Sequence, residues 1–156
     1  VWLHDIGHYV PDIDEDLGSK DYQKRDIHKR VGSEIFDKEF RKHIKDEGLE
    51  EKILACIKYH SGPLDEEGEG YLQRFPELQI IREADRISFL HPDFTGHNLQ
   101  YISDEDGLSD FEKVVKHNYD ELMNVVNPTR HGVEIGEDWM GKTYDLIKKH
   151  RKKSGK

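Results

Sequence analysis

A single cysteine, Cys56, cannot close an internal disulfide, so no covalent framework holds the fold and the chain suits a reducing compartment. Hydrophobic residues are scarce at 34%, against 37% charged, and no apolar run approaches the roughly 20 residues that a membrane span needs. A membrane segment is therefore not expected, and the core must come from narrow stripes on amphipathic helices rather than from buried sheet. Basic residues are outnumbered, 24 against 33 acidic, and the net charge of −9 argues against a broad grip on a nucleic-acid backbone. No signal-peptide pattern opens the chain, which points to a cytoplasmic protein. The first residue is Val rather than Met, and the expectation is a fragment or a processed product.

What is present is helical periodicity. The chain opens VWLHDIGHYVPD, where Trp2, Leu3 and Ile6 read as the buried side of a short helix that ends near Gly7, with Pro11 against a restart and a loop over 11–20. Ile27, His28, Val31 and Ile35 share one face of a helix predicted over about 21–45. Ile53, Cys56, Ile57 and His60 share a face of another over about 49–60. The stretch SGPLDEEGEG (61–70) reads as a loop by its Gly, Pro and acidic content. Leu78, Ile81, Ala84 and Ile87 mark a helix over about 76–90, with Asp85 leaning to its buried side. Residues 91–107 show no pattern that decides between helix and loop.

Phe111, Val114, Val115, Tyr119, Leu122 and Val126 mark a helix over about 108–126, capped by Ser109 or Asp110. Residues 127–137, NPTRHGVEIGE, read as a turn-rich loop with room for a short strand, before a last helix over about 138–150. Trp139, Met140 and Tyr144 on it read as core packing. The expected fold is all-α: a single compact bundle of about six helices over 1–150, followed by a basic tail over 151–156.

Several polar residues then fall on apolar faces. His4 and Asp5 end the first helix, His28 lies on the second stripe, His60 ends the third and Asp85 lies in the fourth. Imidazole and carboxylate together are ligands for Zn, Fe, Mn or Ni, and sites between bundle helices are built from inward residues of this kind. A buried carboxylate without a cation or strong donor is very costly, so an inward Asp5 and Asp85 require one. Each residue also has a plainer reading. His28 and His60 taken singly fit core or helix-end histidines, His60 fits a residue favoured by the helix dipole, and Asp85 fits a partner of Arg82 or a lysine. Cys56 reads as a small core residue.

LHDIGH (3–8), IHKRVGSEIF, ILACIKYHSG and IIREADRIS, in that order over roughly residues 1–90, resemble the motifs of the HD-domain metal-dependent phosphohydrolase superfamily. The resemblance implies an HD-type bundle and one or two divalent transition-metal ions, Mn, Fe, Ni or Zn, with Mg also admitted. His4, Asp5, His28, His60 and Asp85 would be the metal ligands, Asp5 bridging if two ions bind. His8 falls where many members have a residue that touches the substrate phosphate. The family usually carries a further ligand histidine on a helix upstream of the doublet, and this chain starts three residues before His4.

The implied reaction is hydrolysis of a phosphate ester by a metal-activated water, with Asp5 orienting that water and taking its proton. His8, Lys29, Arg30, Arg82 and Arg86 are the candidates to hold the phosphate, of which no more than one or two need serve, and an ordinary solvated face is their plainer reading. The acidic surface favours a small phosphorylated substrate, a nucleotide or related metabolite, over nucleic acid. Two alternatives stand beside it. One is a non-catalytic HD module for ligand sensing or partner binding. The other is an HD-type nuclease on single strands, which would want a basic channel with stacking aromatics.

Overall fold

Asp46, Asp65 and Asp104 each stand just before a helix and cap it, their Oδ1 atoms accepting the backbone N–H of Leu49 (3.1 Å), Gly68 (2.8 Å) and Gly107 (2.7 Å). Each cap satisfies an amide that has no partner within its helix, and is worth about 1 kcal/mol. His91 caps in the same way, its Nδ1 accepting the Asp93 N–H at 3.1 Å, with Pro92 at the start of the helix. The computed structural model describes residues 3, 5–9 and 27–153, and every regular element among them is helical, as the composition led one to expect.

A 3-10 turn (Ile6–Tyr9) comes first. α1 (Ile27–Ile35) continues through a π-helical stretch (Phe36–Phe40) and a second 3-10 turn (Arg41–His43). There follow α2 (Glu47–Tyr59), α3 (Glu66–Arg74), α4 (Pro76–Ser88), α5 (Pro92–Leu99), α6 (Glu105–Glu121), a second π-helical stretch (Leu122–Val126) and α7 (Arg130–Lys153). No helix among the described residues is long and apolar enough to cross a membrane. By its contacts the chain divides into two units, Val1–Arg82 and Glu83–Lys156.

In the first unit the opening 3-10 turn lies directly on α1. A Cβ on Gly7 would collide with the backbone carbonyl of His28, so only glycine permits this approach. Gly32 is on the same seam, where a Cβ would stand 3.1 Å from Ile57 and 3.3 Å from Ile6. Gly7 is thus a crossing point inside the turn, rather than the helix terminator that the sequence predicts. Phe36, Ile57 and Leu78 are fully buried. Arg74 makes a bidentate pair with Glu51 (2.7 Å to each oxygen), and Lys52 pairs with Glu77 (2.6 Å), tying α2 to the elements that follow it.

The second unit has an apolar core. Ile87, Leu90, Val115, Leu122, Val126 and Met140 form one cluster and Leu99, Leu108 and Ile147 another, with Phe111 and Tyr144 packed against both. Buried polar groups here are satisfied locally: the Thr143 hydroxyl donates to the Leu90 carbonyl (2.9 Å) and lies 3.1 Å from the Thr95 hydroxyl. Glu83, also buried, accepts from the Thr129 backbone N–H (2.8 Å) and hydroxyl (2.9 Å) at the start of α7. A carboxylate at a helix N-terminus is favoured by the dipole.

Several expected boundaries shift, each for a physical reason. The helix expected over 21–45 is regular α-helix only over Ile27–Ile35, and its predicted start, like the loop over 11–20, lies outside the described residues. SGPLDEEGEG is a loop only to Asp65; that residue caps α3, whose first turn holds Glu66, Glu67 and Glu69 facing the positive end of the helix dipole. Residues 92–99 are helical behind the His91 cap. α6 starts earlier than predicted, capped by Asp104 instead of Ser109 or Asp110. The expected loop or strand over 127–137 is α7 from Arg130 onward, and that helix continues into the basic tail as far as Lys153. Gly132 and Gly136, which suggested a loop, are buried helix positions. Val114, expected inward, is 47% exposed, and Ala84 is exposed as well.

Candidate metal centre

Three elements of the first unit bring ionisable side chains together. Asp5 stands immediately before the 3-10 turn, which Gly7 allows to lie on α1 at His28. α2 ends at Tyr59, and His60 caps it in helical geometry, followed by the buried Ser61 and Gly62. Gly62 takes φ 74°, a left-handed conformation that turns the chain away. His60 Nε2 lies 3.3 Å from Asp5 Oδ1 and 3.2 Å from His28 Nε2, and His28 Nε2 lies 3.8 Å from Asp5 Oδ1. Asp5, His28 and His60 form a cluster that could hold a metal ion.

The donor set fits a divalent ion. Nitrogen and oxygen ligands about 2.0–2.2 Å from one ion stand roughly 3–3.5 Å from each other, and two of the three separations fall in that range. The tautomer of His60 agrees. Its Nδ1 is 3.0 Å from the Ile57 carbonyl, which can only accept, so Nδ1 carries a proton and Nε2 is the nitrogen turned to the cluster. An electron pair and a carboxylate oxygen at 3.3 Å repel each other unless a cation or proton lies between them. His60 is 1% exposed and His28 6%, whereas the Asp5 side chain is 38% exposed, so water reaches the cluster on the aspartate side. Imidazole and carboxylate are borderline to hard ligands, suited to Mn, Fe, Ni or Zn.

The remaining expected site residues are distributed as follows. His4 lies outside the described residues, and His8 is in the 3-10 turn. Asp85 lies on the part of α4 that belongs to the second unit, its side chain 13% exposed and 3.7 Å from the Arg86 guanidinium. Arg30 is exposed and donates to Glu34 (2.7 Å). Arg86 donates to Asn118 (3.0 Å) and pairs with Glu121 (3.1 Å). Arg82 is 1% exposed and donates through both terminal nitrogens to the backbone carbonyls of Tyr59 and Gly62. Lys29 donates to the Ser61 carbonyl at 3.0 Å. The solvated face that was the plainer reading of Arg82 and Arg86 is therefore not what forms.

A groove of about 420 Å³ lined by Lys29, Arg30, Ser33, Glu34, Asp37, Lys58 and Tyr59 opens on the first unit. The Tyr59 hydroxyl donates to Glu67 (2.6 Å), and burial together with that bond pushes its pKa well above the ordinary tyrosine value. Cys56 is 7% exposed and burial raises the pKa of its thiol, which keeps it protonated and in the role of a core residue.

Sequence reasoning missed the carbonyls of Tyr59, Ser61 and Gly62 as acceptors for cations. The available signal was a Ser-Gly-Pro turn directly after an inward histidine, which ends the helix there and leaves its last carbonyls in need of donors.

Comparison with curated proteins and with solved structures finds no match. The family model described as HD domain matches residues 1–90, more than half of the chain and the stretch that holds the clustered aspartate and both histidines. The chain belongs to the HD-domain family, a superfamily of metal-dependent phosphohydrolases.

Proposed function

We propose that the chain is a metal-dependent phosphohydrolase acting on a small nucleotide or related phosphorylated metabolite. The observation that carries this reading is the convergence of Asp5, His28 and His60, with His60 Nε2 turned to the cluster. His4 and Asp85 are proposed to complete the ligand set, as the family's motif implies. A divalent ion held there lowers the pKa of a bound water towards about 7 and offsets charge on phosphoryl oxygens.

The chain's own residues supply the rest. Asp5, the most exposed of the three, orients the attacking water and accepts its proton at a carboxylate oxygen. His28 and His60, both buried, are held in place as nitrogen ligands. His8, Lys29, Arg30 and Arg86 are proposed as the groups from which the phosphate is held; Arg82 is set apart because it is 1% exposed and both its terminal nitrogens donate to backbone carbonyls. The net charge of −9 supports a small substrate over a polynucleotide.

The test is hydrolysis of nucleoside mono-, di- and triphosphates and of p-nitrophenyl phosphate with Mn, Fe(II), Ni, Zn or Mg added singly. Turnover of a mononucleotide series that needs metal, is lost in Asp5→Ala and is not inhibited by single-stranded polynucleotide is the expected result. Inhibition by the polynucleotide would move the assignment to a nuclease. No turnover with any metal would leave a non-catalytic module.

A further inference from the structure

The C-terminal end of α2 leaves backbone carbonyls without helical partners, as every helix end does, and the turn that follows over His60, Ser61 and Gly62 is buried. Three carbonyls of this helix end and turn, those of Tyr59, Ser61 and Gly62, are each met by a cationic side chain. Arg82 Nη1 donates to Tyr59 O and Arg82 Nη2 to Gly62 O at 2.7 Å, so a single planar guanidinium spans the two residues that flank the His60–Ser61 pair. Lys29 Nζ donates to Ser61 O at 3.0 Å from α1, one residue after His28. The imidazole itself donates to Ile57 O. Every backbone carbonyl in these four bonds belongs to residues 57–62.

We infer that Arg82 and Lys29 are positioning residues for His60, fixing the turn after α2 so that His60 Nε2 faces Asp5 and His28. The inference rests on the metal-site reading for its consequence, but the positioning is a property of the metal-free chain. Two cations at the negative end of α2 complement the helix dipole, and the guanidinium fork fixes two carbonyls at once, which an ammonium cannot. Lys29 links the turn to α1, so the two histidine-bearing segments are held to one another by a bond that neither histidine makes. Arg82 does not touch the ligand atoms; it acts through the backbone that carries His60.

The experiment compares the parent chain with Arg82→Met, Arg82→Lys and Lys29→Met. Long-range ¹H–¹⁵N correlation of the histidine rings, in metal-free protein at one fixed pH, reads the His60 tautomer. Titration with Co(II), followed by its visible absorption, reads affinity and ligand geometry. In the parent, His60 shows the Nδ1–H tautomer. Arg82→Met is expected to average the tautomers and to weaken Co(II) binding by about 10- to 100-fold, the range for removing a group that orients a ligand. Arg82→Lys restores part of the loss, since it regains one carbonyl of two, and Lys29→Met shows a smaller loss than Arg82→Met.

Should Arg82→Met fail to fold, the Lys variants carry the test. An unchanged His60 tautomer and unchanged cobalt spectrum in folded Arg82→Lys and Lys29→Met, with only the melting temperature lowered, would overturn the inference. A parent that takes up no cobalt would sink the metal reading, and the tautomer spectra would still decide the positioning.

Discussion

In the first unit the most deeply buried side chains include His60 and Arg82, each 1% exposed, beside Phe36, Ile57 and Leu78; in the second they are Leu90, Leu122, Ile147, Leu108 and Val115, with Thr95 and Thr143. Both interiors hold polar atoms, but of different kinds. The second unit buries hydroxyls that bond to one another and to a nearby carbonyl, and beside them the carboxylates of Glu83 and Glu121, which accept from Thr129 and pair with Arg86. The first buries a guanidinium and two imidazoles, which are tolerated only where donors and acceptors converge on them. The apolar clusters of the second unit give a stable frame. The polar interior of the first unit gives a place for a cation.

That contrast is open to direct attack. The largest expected effect is on metal affinity: His60→Ala should weaken binding by more than about 100-fold, beyond the 10- to 100-fold of losing a merely supporting group, as read by Co(II) titration. Leu122→Ala in the second unit should leave that affinity unchanged, and a drop there would erase the division of roles.

Next in size is Gly7→Ala. Its Cβ would meet backbone at His28 and not a flexible side-chain end, so the turn must lift off α1. A stability loss of at least about 3 kcal/mol is expected, together with weaker metal binding, measured by denaturant unfolding and by titration. Comparable in stability but silent in binding is Leu122→Ala, at about 2–5 kcal/mol for a fully buried leucine.

The smallest effect concerns Glu77, whose pKa is lowered first by its bond from Lys52 and then by its own backbone. A carboxylate with a depressed folded-state pKa adds stability that is present above the ordinary carboxylate value and is lost as pH falls through the lowered one. Melting temperatures of Glu77→Gln and the parent should therefore differ slightly at neutral pH and converge in acid. The pair is exposed, so the difference at neutral pH is small.

The same contrast explains what was legible in the sequence. Helices with apolar stripes were readable by period, as at Ile53, Cys56 and Ile57 or at Leu122 and Val126. Glycine misled in two ways: Gly132 and Gly136 suggested a loop but are close-packed helix positions, and Gly7 suggested a helix end but marks a crossing. The acidic run after Pro63 suggested a loop, although Asp65 and the glutamates behind it suit a capped first turn. At the site, Asp5, His28 and His60 were legible because polar residues on an apolar face need a reason. Arg82 was not. It lies one turn after Leu78 on α4, so position alone would have buried it, but hydropathy assigns an arginine to solvent. Its burial follows from three-dimensional acceptors, the Tyr59 and Gly62 carbonyls, that no one-dimensional pattern displays.

The central claim is that Asp5, His28 and His60 hold a divalent metal ion. Elemental analysis of the purified chain after incubation with Mn, Fe, Ni or Zn, beside Asp5→Ala treated identically, tests it most directly. Near-stoichiometric metal in the parent and its loss in a variant of unchanged helical content is the predicted result. Metal absent from both, or retained equally by both, would contradict the claim.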